Sequence, residues 1–189
     1  MKLKIENKYY NKKTYKLIMA DQDLINQYLK NIYDGNLDKV KEKGDIFINS
    51  VGKLNPKGYN LIPIFACLAL VLEKPNIGRE MLTYLLSHSK INVSQIVIQN
   101  NGEGWTNEIF TTYHIMSNEK MNHDVCEQIL NHDSFDVNVL NKINHDDYTP
   151  LDLADEYNKE IIKLLESRNA IRNFRVGPGF KLDRDNYPS

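Results

Sequence analysis

The 189-residue chain holds five histidines and two cysteines, the side chains most apt for nucleophilic, acid–base or metal chemistry. Four of the histidines (His114, His123, His132 and His145) lie between residues 101 and 160. Three of them precede carboxylates directly, as His123-Asp124, His132-Asp133 and His145-Asp146-Asp147. An imidazole beside a carboxylate can serve as a general base, and with more ligands it can hold a divalent metal. Such a centre needs about three ligands converging on one point. His132, however, stands where a helix ends, as His88 does earlier, and a histidine there is explained by the helix C-terminus alone. His145 belongs to a predicted turn some distance away. Neither Cys67 nor Cys126 has a Cys/His motif around it, and both fall among apolar helical positions where packing explains them. The run Asn100-Asn101-Gly102-Glu103-Gly104-Trp105 is glycine-rich but lacks the Lys-Ser/Thr ending of a phosphate loop, and reads as a turn tip. These residues predict no catalytic site, no metal and no cofactor. The competing reading from this chemistry is a metal-dependent hydrolase built on the His/Asp groups.

Charge narrows the partner. The chain has 24 basic and 25 acidic side chains, a net charge of −1, which gives no global case for a nucleic-acid binder. The balance is a cancellation. Residues 1–16 carry six Lys against Glu6, whereas residues 101–160 carry three basic groups against thirteen acidic ones. Residues 17–100 are near neutral, and residues 161–189 carry an excess of three positive charges. An acidic stretch of that kind steers a basic protein partner and repels nucleic acid. Two cysteines exclude a disulfide-stapled scaffold and a multi-cysteine zinc module. Met1 to Ala20 has no apolar stretch of signal-peptide length. The longest apolar run, Ile62 to Leu72, contains Pro63 and is far shorter than the ~20 residues that span a bilayer, so it predicts a buried helix. A cytoplasmic monomer without a membrane span is expected. The bias toward Asn, Lys, Ile and Tyr suits AT-rich codons and carries no function.

The elements that would position these residues show a repeating grammar. In Tyr148 to Ala170, Thr149 can cap a helix and Pro150 takes its first position, where a missing N–H is harmless. Leu151, Leu153 and Ala154 form a first short helix, and Ile161, Ile162, Leu164 and Leu165 give a second its apolar stripe. Asn60 to Val93 repeats the pattern, with Pro63 matching Pro150 and Leu85-Leu86 matching Leu164-Leu165. Glu108 to Asn138 repeats it again, with Ile129-Leu130 as the pair and Ile109 in the proline's place. The two pairs are followed by similar endings, Ser87-His88 then Ile91-Asn92-Val93, and Asn131-His132 then Asp136-Val137-Asn138. A fourth, degenerate copy opens at Gly35-Asn36-Leu37-Asp38-Lys39-Val40 and closes at Lys43-Gly44-Asp45.

On these residues the chain resembles the ankyrin repeat family, whose unit joins a T-P-L-H-x-A helix start, a second helix and a G-A-D-V-N lead into a hairpin finger. Thr149-Pro150-Leu151-Asp152-Leu153-Ala154 matches with Asp152 for the usual His, and Gly35 to Lys41 and Asp136-Val137-Asn138 match as well. The resemblance covers roughly residues 22–173. It implies an all-α solenoid of about four helix-turn-helix units, approximately 21–57, 58–104, 105–146 and 147–174, within a domain spanning 21–174. From proline to the second paired leucine there are 15 residues in the last copy and 23 in the second, which predicts longer helices or extended loops there. Residues 1–20 lie outside the repeats. Tyr15, Leu17 and Met19 alternate after Asn11-Lys12-Lys13, which predicts a hairpin or extended cap, and residues 175–189 form an irregular tail.

The resemblance also implies the function: a protein–protein interaction module binding through the finger and first-helix face, of the kind used as effectors or adaptors by AT-rich bacteria and large viruses. By the repeat register, Tyr59 and Asn60, Trp105 and Asn107, and His145, Asp146, Asp147 and Tyr148 fall in three successive fingers, with Glu156 nearby. Trp and Tyr are favoured interface anchors because they offer large area with few rotors. Trp105 can equally pack under the extended loop of its own unit. Within binding, the alternative is an inhibitor or immunity protein whose acidic face blocks a basic enzyme site.

Overall fold

The computed structural model describes residues 12–54, 58–99, 108–118, 120–144, 146–154 and 159–173, with side chains from Asp21 onward. The described chain is mostly helical. It opens with α1 (Lys12–Asp34), then α2 (Leu37–Lys41), α3 (Gly44–Phe47), α4 (Pro63–Glu73) and α5 (Pro75–Leu86). A two-stranded hairpin follows, β1 (Ile96–Gln99) and β2 (Glu108–Thr111). The remainder is α6 (Thr112–Met116), α7 (His123–Leu130), α8 (Val137–Leu140), α9 (Pro150–Leu153) and α10 (Lys159–Ser167). Among the described residues no helix is long and apolar enough to cross a membrane.

Along the chain the helices can be taken in four consecutive pairs, α1/α2, α4/α5, α6/α7 and α9/α10. Their first helices follow one another in a row, with α1 against α4, α4 against α6 and α6 against α9, while α7 packs on α10. One apolar core runs from Tyr28, Leu29 and Ile32 of α1 to Leu164 and Leu165 of α10. The long apolar run does form a buried helix, α4, on which Pro63 takes the first position after Ile62. Pro75 starts α5 in the same manner, and Gly78 lets the two helices meet. A Cβ at Gly78 would stand 2.5 Å from the Cα and N of Val71. The extra length of the second copy is therefore helix, 11 residues in α4 and 12 in α5, against four in α9.

Thr149 caps α9 as its type and place predict. Its hydroxyl accepts from Asp152 N at 3.3 Å, and its own N–H donates to Asp152 Oδ2 at 2.9 Å. Thr111 does the same for α6, accepting from His114 N at 3.4 Å while its N–H donates to His114 Nδ1 at 3.2 Å. The first turn of the third pair is thus Thr111-Thr112-Tyr113-His114. This corrects the register: Thr112, not Ile109, occupies the proline's position, and Ile109 lies in β2 paired with Ile98. The capping hydroxyl supplies the helix start that proline supplies elsewhere.

Three further expectations change. Residues 12–20 are helical, so the second arm of the predicted hairpin does not exist and a boundary at residue 20 falls inside α1. Leu17-Ile18 stand seven residues before Leu24-Ile25, and this helical spacing continues through Tyr28, Leu29 and Ile32, outweighing a three-residue alternation. Lys43-Gly44-Asp45 starts α3 instead of closing the first pair. Asp136-Val137-Asn138 leads first into α8, whose first turn Asp136 caps through Asn138 N at 2.8 Å.

Candidate interaction surface

Each of the last three helix pairs is entered through a turn. The first is closed by Gly52 and Leu61, whose backbones exchange hydrogen bonds of 2.9 and 2.7 Å, and leads into α4. The second is the antiparallel β1–β2 hairpin, paired from Ile96↔Thr111 to Gln99↔Glu108, which leads into α6. The third is the Asn144–Tyr148 turn before α9. There Asn144 N donates to Tyr148 O at 2.9 Å, and Asn144 Oδ1 accepts from Asp146 N and Tyr148 N at 3.0 and 2.9 Å. Asp147 takes the left-handed conformation, φ 65°, that closes it.

These turns hold most of the described site candidates and sort them. Tyr59 is 56% exposed, as an anchor requires. Asn60 is a structural tie: its N–H donates to Gln99 Oε1 (2.6 Å), its Nδ2 to Ile98 O (2.9 Å), and its carbonyl accepts from Gln99 Nε2 (2.6 Å). Asp146 and Asp147 are exposed. Tyr148 is buried, which corrects its assignment as an exposed anchor; the turn folds the ring inward ahead of α9. Trp105, Asn107, His145 and Glu156 lie outside the described residues. Sequence reasoning missed Ile96 and Ile98, which point outward from β1 while Val97 and Gln99 point in. Ile96-Val97-Ile98 is an unbroken apolar run, so residue types alone hold no signal for which face turns outward.

Between successive pairs, one hydrogen-bonding rule recurs. A backbone carbonyl accepts a hydrogen bond from a side chain of the preceding unit, and the amide two residues later is also satisfied by a side chain. At the first junction Asn49 does this alone, its Nδ2 donating to Lys90 O (2.5 Å) and its Oδ1 accepting from Asn92 N (2.8 Å). At the last, Asn141 repeats it on Asn169 O (3.0 Å) and Ile171 N (2.9 Å). At the middle junction Ser94 alone comes from the preceding unit, and Tyr113 of α6 serves the amide from within the third pair. Ser94 Oγ donates to Ser134 O (2.7 Å), Asp136 N donates to Tyr113 Oη (3.4 Å), and the two hydroxyls lie 2.6 Å apart. With Ser94 donating onward, the Tyr113 proton must point at Ser94. Burial pushes the Tyr113 phenol up, which keeps it a donor.

The histidines serve the same junctions. His88 Nε2 meets Asp45 Oδ1 at 2.6 Å, His132 Nε2 meets Leu86 O at 3.2 Å, and His114 Nε2 meets Tyr148 O at 3.3 Å. In each ring, Nδ1 accepts a nearby backbone N–H, from Lys90, Ser134 and Thr111 respectively. Asp124, which follows His123, is held by Arg79 at 2.7 Å. Among the described residues no three His, Cys, Asp or Glu side chains converge to hold a metal ion. Cys67 and Cys126 are buried, each near a carbonyl of the facing helix or its end, Gly78 O and Met116 O, at 3.6 Å. Burial pushes the Cys67 thiol up, and burial with the Asp124 charge pushes Cys126 up to about 12, so neither supplies a thiolate near neutrality.

No family model, no curated protein and no solved structure matches this chain. The functional reading rests on its own residues.

Proposed function

We propose that the chain is an ankyrin-type solenoid that acts as a protein–protein interaction module, binding its partner along the edge formed by the three turns. The observation that carries this reading is the side-chain bond from one unit to a backbone carbonyl of the next, made by Asn49, Ser94 and Asn141. A bond pattern that recurs unit after unit is what a quasi-one-dimensional stack requires, each unit contacting only the next. Such a stack offers an extended surface in place of a deep pocket. Of the large apolar side chains that stay exposed, Val51, Tyr59, Ile96, Ile98 and Ile143 belong to or adjoin the turns. Exposed acids, Asp146 and Asp147, share the third turn. The partner this mixture suits is a protein presenting apolar side chains beside a basic patch.

An adaptor or effector role in the cytoplasm follows from the resemblance to ankyrin proteins. Affinity capture from host extract, followed by titration of the captured protein, tests the reading. Tyr59→Ala with Ile98→Asp should weaken binding by at least about thirtyfold, as loss of an interface anchor does. Asp146→Lys with Asp147→Lys should slow association and flatten its salt dependence. A partner held equally by all these variants would place the surface elsewhere.

A further inference from the structure

We propose that Gln99 is a positioning residue for the turn edge, holding Tyr59 of the first turn and Ile98 of the hairpin as one preset pair of anchors. Its side-chain amide meets both backbone groups of Asn60 at once. Gln99 Oε1 accepts the Asn60 N–H, and Gln99 Nε2 donates to the Asn60 carbonyl, each at 2.6 Å. Asn60 Nδ2 returns a third bond, to Ile98 O at 2.9 Å. Residues 60 and 99 are 39 apart in the chain, so these bonds fix one turn against the next.

The covalent chain decides what they fix. The Asn60 N–H belongs to the peptide unit that begins at Tyr59, and the Ile98 carbonyl to the unit that leads into Gln99. Each anchor therefore has a bonded, planar peptide directly after its Cα. Gln99 points inward and is 5% exposed, so water competes poorly for its two bonds. Tyr59 and Ile98, by contrast, are 56% and 50% exposed. The side chain that holds is buried and the side chains held are open, which separates positioning from contact. A partner meets anchors whose ordering cost is already met on folding, and that saving appears as affinity.

This role rests on the turn edge being the binding surface, so the hold and the binding are measured separately. The variant is Gln99→Glu, because a carboxyl group matches the amide only while it carries a proton. The neutral acid donates to Asn60 O and accepts from Asn60 N–H, whereas the carboxylate repels that carbonyl. Burial, and the like charge of Glu108 opposite residue 99 in the ladder, both favour the neutral form of a carboxyl placed there.

At about pH 8 the amide order parameters of Tyr59 and Asn60 in Gln99→Glu should fall from about 0.85 to below about 0.6. At about pH 4.5 they should return, while the wild type stays ordered at both. The binding probe is a display-selected peptide that binds the wild type and is lost by Tyr59→Ala. Gln99→Glu should bind it about tenfold more weakly at about pH 8 and as well as the wild type at about pH 4.5. Amides that stay ordered at the higher pH, order that acid fails to restore, or order lost with affinity kept would each overturn the proposal. Should Gln99→Glu fail to fold at about pH 8, Gln99→Met keeps the volume without the bonds; it should show the same losses, and an unchanged affinity would overturn the proposal equally. If every selected peptide binds Tyr59→Ala as well as the wild type, the reading of this edge as the binding surface fails, and the positioning role falls with it whatever the order parameters show.

Discussion

The second helix pair and the last two hold themselves together by different means. The α4/α5 pair is long, starts both helices with proline and has no side-chain cap on either. Its strength is apolar contact at close range, with Gly78 pressed against the backbone of Val71. The α6/α7 and α9/α10 pairs begin with first helices of five and four residues, too short to be stable by themselves. There Thr111 and Thr149 complete capping boxes, Ser94 and Asn141 tie backbone groups across the junctions, and Tyr113 ties one within the third pair. Packing does the work in one region, and satisfied polar groups do it in the other. The source of cohesion therefore changes along the chain while α1, α4, α6 and α9 pack one on the next.

The largest test of this contrast is Gly78→Ala. A methyl group there meets backbone, which cannot move aside, and should destabilise the protein by about 3 kcal/mol in denaturant unfolding. Gly44→Ala is the control, because its nearest neighbour is the flexible end of Tyr84. That change should stay within about 1 kcal/mol. An equal effect at both glycines would deny the close approach of α4 and α5.

Ser94→Ala probes the polar region and should lose about 2 kcal/mol, since it strands Ser134 O and the Tyr113 hydroxyl in a part-buried site. Asn141→Ala, whose bonds are at the surface, should lose less than about 1 kcal/mol by the same measurement. The reverse order would show that burial does not set the worth of these junctions.

Alkaline pH gives a slope of about 1.4 kcal/mol per pH unit from Cys126 at most. The folded state holds this thiol neutral up to about pH 12, against an ordinary value of 9.0. Above pH 9 the unfolded chain binds fewer protons than the folded one, so this contribution is complete below pH 9 and is lost as pH rises toward 12. Cys126→Val should flatten part of that fall, and an unchanged slope would mean the thiol is open to solvent. Thr149→Ala should cost about 1 kcal/mol for a lost cap. It should raise amide exchange in α9 and leave α4 unchanged.

Local signals were readable from residue types, and distant ones were not. The Pro63 and Thr149-Pro150 helix starts and the turn at Tyr59 announce themselves within a few residues. The third pair hid its start because Thr112 stands where proline was sought, and α1 hid because three alternating residues resembled a strand. Ile62 to Leu72 displays its burial openly, whereas Tyr148 turns inward only because Asn144 folds the backbone around it. The junctions escaped for another reason: Asn49 and Lys90 are 41 residues apart, and nothing local links them. In hindsight, an Asn directly after two apolar residues, Phe47-Ile48-Asn49 and Val139-Leu140-Asn141, marks two of the three.

The bond from Asn60 to the carbonyl of Ile98 has a consequence for life at high concentration. A strand flank with open carbonyls templates the addition of further strands, and chains so equipped tend to polymerise edge to edge. Here a side-chain amide from the preceding turn already occupies that carbonyl. The outward isoleucines of β1 can then be offered to another protein without the backbone beside them recruiting copies of itself.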